Sequence, residues 1–81
     1  MFDAQISMAA SAYKHGVSGD DIAHAVRMQI VAVRQVTDRL LLIGPAVDGS
    51  LLEIVQVDAT DQTPALVIHA MKVRRKFYQF L

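Results

Sequence analysis

Apolar and polar positions follow two rhythms along this chain. The first third has a helical spacing. Asp3 to Lys14 places Ile6, Ala9, Ala10 and Tyr13 on one face, which predicts a first helix capped by Asp3 and stopped near Gly16. A second, shorter helix is expected from Ser18, with Ile22, Ala25 and Val26 buried. Ser18 and Asp21 stand in capping-box spacing, and Gly16-Val17 is a tight link between the two helices.

After that the pattern becomes strand-like. Met28 to Val36 alternates in part, with Gln29 and Gln35 on one face and Arg34 on the other. Arg39 to Ile43 is almost wholly apolar, as a central strand covered on both faces would be. Leu51 to Val57 is rich in branched residues, interrupted by Glu53 and Gln56, and Ala65 to Ala70 forms a fourth run. Asp48-Gly49 predicts a hairpin turn. Pro45 predicts a bulge or a frayed strand end before it. Asp58 to Pro64 is a loop of turn formers. The expected architecture is α+β: two N-terminal helices on one face of an antiparallel sheet of about four strands, then a short basic C-terminal turn.

Composition narrows the function classes. The chain has 81 residues, which predicts one domain spanning 1–81 with a modest core. Its hydrophobic fraction of 53% leads us to expect apolar surface against another chain, in a homo- or hetero-oligomer. With no cysteine, disulfides and thiolate metal sites are excluded, and a reducing, cytoplasmic setting is expected. The N-terminus lacks a basic and apolar leader pattern. The longest apolar run, Leu40 to Val47, contains Gly44 and Pro45 and is too short to span a bilayer, so no membrane role is expected.

Net charge is zero, so nucleic-acid contact would have to be local. It has an obvious place. Lys72, Arg74, Arg75 and Lys76 crowd the C-terminus, interleaved with Phe77, Tyr78 and Phe80, and no acid follows Asp61. Such a cluster suits phosphate. Arginines grip it in bidentate fashion and lysines add point charge. Phe77 and Phe80 would share one face of a helical turn and anchor the tail.

Lys14-His15-Gly16-Val17-Ser18 followed by a short acidic helix resembles the K-H-G-V-S segment of BrnT-like toxins. Arg39-Leu40-Leu41-Leu42-Ile43-Gly44 with the Asp48-Gly49 turn resembles that family's R-F-x-x-I-G strand and turn. The last strand, through His69-Ala70 into a basic tail, resembles its I-I-S-A-R-K segment. Together these cover the chain from about position 14 onward. Two departures stand out: a helix is expected where the family opens with a short strand, and Met71-Lys72 replaces its Arg-Lys pair. The resemblance implies a RelE-type fold, the toxin role in a type II toxin–antitoxin system and metal-independent endoribonuclease activity without a cofactor. It also implies a cognate antitoxin as partner, RNA as substrate and operator DNA reached only through the antitoxin.

Metal-independent RNA cleavage needs a base for the 2′-hydroxyl, cations for the phosphate and an acid for the leaving oxygen. His69 is the leading candidate for proton transfer, because an unperturbed imidazole titrates near neutrality. Its alternative is a strand-end histidine satisfied by a backbone carbonyl. The resemblance gives Lys14 and His15 a part in phosphate contact or proton transfer; both would equally suit a helix C-terminus. Arg39 is a candidate for the cleft, or a structural partner of Asp38, Asp58 or Glu53. Tyr78 is a candidate for stacking on a base or donating a proton. Lys72, Arg74, Arg75 and Lys76 are the expected phosphate ligands. No metal site is expected: His24 stands on the exposed side of its helix, without a second ligand at metal spacing. The rival function is a non-catalytic dimerising module that binds a protein partner or nucleic acid.

Overall fold

The computed structural model describes residues 6–81. Five strands form one mixed sheet in the order β1-β5-β4-β3-β2. They are β1 (Ser7–Met8), β2 (Val31–Val36), β3 (Arg39–Pro45), β4 (Leu51–Val57) and β5 (Leu66–Lys72). One α-helix, α1 (Gly19–Arg27), and two 3-10 helices, Ala10–Tyr13 and Arg75–Phe80, complete the described chain. The fold is therefore α+β, with β2 to β5 an antiparallel meander and β1 added parallel to β5.

The predicted first helix is the main correction. Its Asp3 cap lies outside the described residues. Ser7 and Met8 instead pair with Leu66 and Val67, and Ala9 N–H continues the ladder to Val67 O at 2.9 Å. Only one 3-10 turn follows. Ser11 Oγ donates to Ile68 O at 2.6 Å, which fastens that turn to β5, and Ala12 is fully buried. Ile6 and Met8, two positions apart, both pack on the core. Tertiary pairing with the β5 edge thus overrides the helical propensity of this alanine-rich segment.

The second helix forms as its caps direct. Ser18 is the N-cap and accepts from Asp21 N–H at 3.1 Å. Gly16 adopts φ 81°, a left-handed conformation that reverses the chain at little steric cost. Ile22 and Ala25 are fully buried against the sheet. The helix runs on to Arg27, so β2 starts at Val31 rather than Met28.

Strand register divides the sheet into two faces. Leu42, Ile54 and Ala70 lie in one row across β3, β4 and β5, and they belong to the core under α1. Gly44 is in the next row on that face, where a Cβ would run into the Ala25 carbonyl. Glycine here lets α1 sit directly on the strand. The opposite face carries the rows Ile43–Glu53–Met71 and Leu41–Val55–His69. Leu41, Ile43 and Glu53 are buried too, as the apolar run of β3 predicted. Pro45 does not fray the strand, for it remains paired with Leu51. The hairpin turns at Gly49, φ 93°.

Beyond β5 the chain stays on this second face. Val73 N–H bonds Leu51 O at 3.1 Å, and Arg74 bonds Glu53. Phe77 and Phe80 then stack at 6.3 Å between centroids. Among the described residues no helix is long and apolar enough to cross a membrane.

Candidate functional site

Glu53 is the one charged side chain buried in the described structure, with 0% exposure. Register puts it on the face away from α1, opposite Met71 and one diagonal step from His69. Burial pushes its carboxyl up, but hydrogen bonds from Arg74 and His69 and the Arg74 charge hold it below the usual carboxylate range. The bonds are dense. Arg74 N–H donates to Oε1 at 2.8 Å, Nε to both oxygens at 3.0 Å and Nη2 to Oε2 at 2.6 Å. This is the paired, fully bonded arrangement that a buried charge requires.

His69 closes the set, with Nε2 3.0 Å from Glu53 Oε2. An ionised carboxylate only accepts, so Nε2 carries the proton and Nδ1 is left to accept or bind elsewhere. The imidazole is 25% exposed, so it is both oriented and accessible. A bulge between Val55 and Gln56 adds a residue to β5 at Ile68. Such bulges re-aim neighbouring side chains.

His15 is the second ring. It lies in the turn that Gly16 reverses, and its centroid is 5.5 Å from that of His69, edge to face. The same turn places Lys14 beside it, exposed. Two imidazoles from opposite ends of the chain thus meet at the β5 edge, one of them gripped by a buried glutamate.

The basic tail divides. The Arg74 guanidinium is committed to Glu53, which raises its pKa further, and it lies 5.5 Å from the Phe77 ring centroid. It is primarily the fastener of the tail. Lys76 Nζ is 5.0 Å from the same ring. Arg75, Lys76 and Lys72 are exposed, and Lys72 lines a cleft together with His15. Tyr78 is 52% exposed, and among the described residues its hydroxyl makes no hydrogen bond to either histidine. Arg39 is on the same face as His69, but two strands away and one row further along. It is exposed, with Nε 4.0 Å from Asp38; Asp58 is taken by Arg34 at 2.7 Å. Of the candidates, the structure brings His15 and His69 together; Lys14 precedes His15 in the turn, and Lys72 shares a cleft with His15 from the opposite face of β5. Arg39 stays at the periphery.

The sequence pattern undervalued Glu53, treating it as an interruption of a strand. An acid at a central-strand position whose neighbours are apolar was the available signal. His24 is also corrected: it is half-buried, and its Nδ1 lies 2.7 Å from Pro45 O. Among the described residues no group of three or more His, Cys, Asp or Glu side chains is placed to hold a metal ion.

The fold and site define a small α+β domain with two histidine rings in contact at a sheet edge, one of them held by a buried carboxylate. No protein-family model matches the chain, no curated protein matches it and no solved structure matches it.

Proposed function

We propose that the protein is a metal-independent endoribonuclease whose acid–base groups are His69 and His15. The observation that carries this reading is the approach of the two rings to 5.5 Å with His69 fixed by fully buried Glu53. The 2′-oxygen attacks the adjacent phosphorus as the phosphorus–5′-oxygen bond breaks. Nδ1 of His69 takes the 2′-hydroxyl proton, and protonated His15 gives a proton to the departing 5′-oxygen. Glu53 favours the imidazolium that forms on His69, as a buried carboxylate behind a catalytic histidine does. Lys14 supplies positive charge for the phosphate oxygens, and Arg75 and Lys76 contact phosphates further along the strand. The products are a 2′,3′-cyclic phosphate and a free 5′-hydroxyl.

The resemblance to BrnT-like toxins supports the wider setting. In it the protein is the toxin of a type II pair, a cognate antitoxin covers the basic face, and operator DNA is met through that antitoxin. Purified protein should cleave RNA in the presence of a chelator, and His69→Ala and His15→Ala should each stop it. Undiminished cleavage by both variants overturns the assignment.

A second reading, a dimerising interaction module, draws on one separate observation. Exposed Met28, Ile30 and Val36 lie at or beside the open edge strand β2. A dimer that binds RNA or a protein partner without cleaving RNA would favour it.

A further inference from the structure

A cleft of about 440 Å³ opens where His15 meets the end of β5. This is within the range of about 300–1,000 Å³ typical of small-ligand pockets. Val17, Leu52 and Met71 give it apolar walls, and Asp21, Asp48 and Lys72 give it a polar rim. Three separate elements converge there: the turn before α1, the β3–β4 hairpin and the end of β5. His15 belongs both to this cleft and to the histidine pair, so a ligand in the cleft lies next to the proposed chemistry.

The rim has a definite hydrogen-bonding character. Asp21 Oδ1 accepts from Val47 N–H at 3.0 Å, which fixes the carboxylate and leaves Oδ2 for a ligand. Asp48 Oδ1 accepts from Ser50 N–H at 2.9 Å. Hydrogen bonds from the Ser50 backbone and side chain hold Asp48 below the ordinary carboxylate range, helped by the charge of Lys72. Ionised carboxylates only accept hydrogen bonds, and an ammonium only donates. The complementary base edge therefore carries adjacent N–H donors with a carbonyl oxygen beside them.

Guanine alone among the RNA bases has that edge, with N1–H and N2–H₂ next to O6. Adenine and cytosine would turn a ring-nitrogen acceptor towards a carboxylate, and uracil would flank its single donor with two carbonyl oxygens. We propose that this cleft is a guanine subsite, in which the Asp21 and Asp48 carboxylates accept from N1–H and N2–H₂ while Lys72 donates to O6. Placing that guanosine next to the scissile phosphate rests on the ribonuclease reading; the binding of the base does not.

The test is titration of the isotopically labelled full chain with guanosine, adenosine, cytidine and uridine 5′-monophosphates, followed by amide NMR. The guanine nucleotide should bind about tenfold or more tightly than the other three, the order of discrimination one bidentate contact gives. It should shift the Val17, Asp48 and Ser50 amides. Asp21→Asn and Lys72→Met should each remove that preference; Lys72 is exposed at a strand end, so its variant guards against a folding loss in the first. Equal affinity for the four nucleotides, or shifts centred away from the cleft, overturns the proposal. RNA cleavage measured in parallel separates the two ideas. Guanine-selective binding without cleavage removes the ribonuclease and keeps the subsite, whereas cleavage without base preference removes the subsite and keeps the ribonuclease.

Discussion

His69 and Glu53 are joined across β4 and β5, with Nε2 3.0 Å from Oε2. Glu53 is wholly buried and also receives the Arg74 guanidinium. One carboxylate therefore orients the candidate base and fastens the tail. Glu53→Gln replaces an obligate acceptor with a group that can donate, so the His69 tautomer is no longer fixed. Cleavage by folded Glu53→Gln protein should fall by about 10²-fold or more, within the ~10²–10⁴ an acid–base group contributes. Initial rates at matched folded concentration check this. An unchanged rate would show that His69 does not depend on Glu53.

The same carboxylate makes stability depend on acid. Glu53 is held below its ordinary value of 4.5, so the unfolded chain binds its proton more readily than the folded one. Its contribution is fully present above that ordinary value and is lost as pH falls through the lower folded value. Melting temperature should therefore drop more steeply below about pH 4.5 for the wild type than for Glu53→Gln. Parallel curves would contradict this coupling.

Gly44 tests the fold that carries the site. A Cβ at this position meets the Ala25 carbonyl, which is backbone and has no flexible end to move aside. Gly44→Ala should destabilise the protein by about 1–3 kcal/mol, the usual cost of overpacking. Chemical denaturation measures it. A neutral result would mean that α1 stands further from β3 than described.

The tail cations should separate by role. Arg75 and Lys76 are exposed, so Arg75→Gln and Lys76→Gln should weaken RNA binding in a salt-dependent way. Each should reduce the slope of log affinity against log salt by about 0.7 for a lost single-strand phosphate contact. Arg74→Gln should instead lower the melting temperature, because it strips Glu53 of most of its partners. Binding isotherms at several salt concentrations and a melt of each variant distinguish these outcomes.

Much of the fold was legible because local and tertiary signals agreed. Ser18 and Gly16 set the start of α1, Gly49 set the hairpin, and the apolar run of β3 matched burial on both faces. The first helix failed because Ile6, Ala9, Ala10 and Tyr13 satisfy a helical spacing, while Ser7 and Met8 pair with Leu66 and Val67 of β5, almost sixty residues away in the chain. The site was half legible. His69 and His15 stood out by chemistry, and their meeting depends on the closure of the sheet by β1 and the turn after it. Glu53 was hidden because an acid within a strand reads as solvent-facing until register assigns its face. The sequence marks Arg74 as a phosphate ligand for a related reason: no local pattern reveals a buried carboxylate twenty-one residues away.

Metal-independent RNA cleavage is the activity proposed for the His15–His69 pair. The most direct measurement incubates purified wild type, His69→Ala and His15→Ala with end-labelled RNA in excess chelator and identifies the new termini. The wild type should leave 2′,3′-cyclic phosphate and 5′-hydroxyl ends, and each folded variant should lose about 10²–10⁴-fold in rate. Intact RNA with the wild type, or equal cleavage by all three proteins, would contradict it.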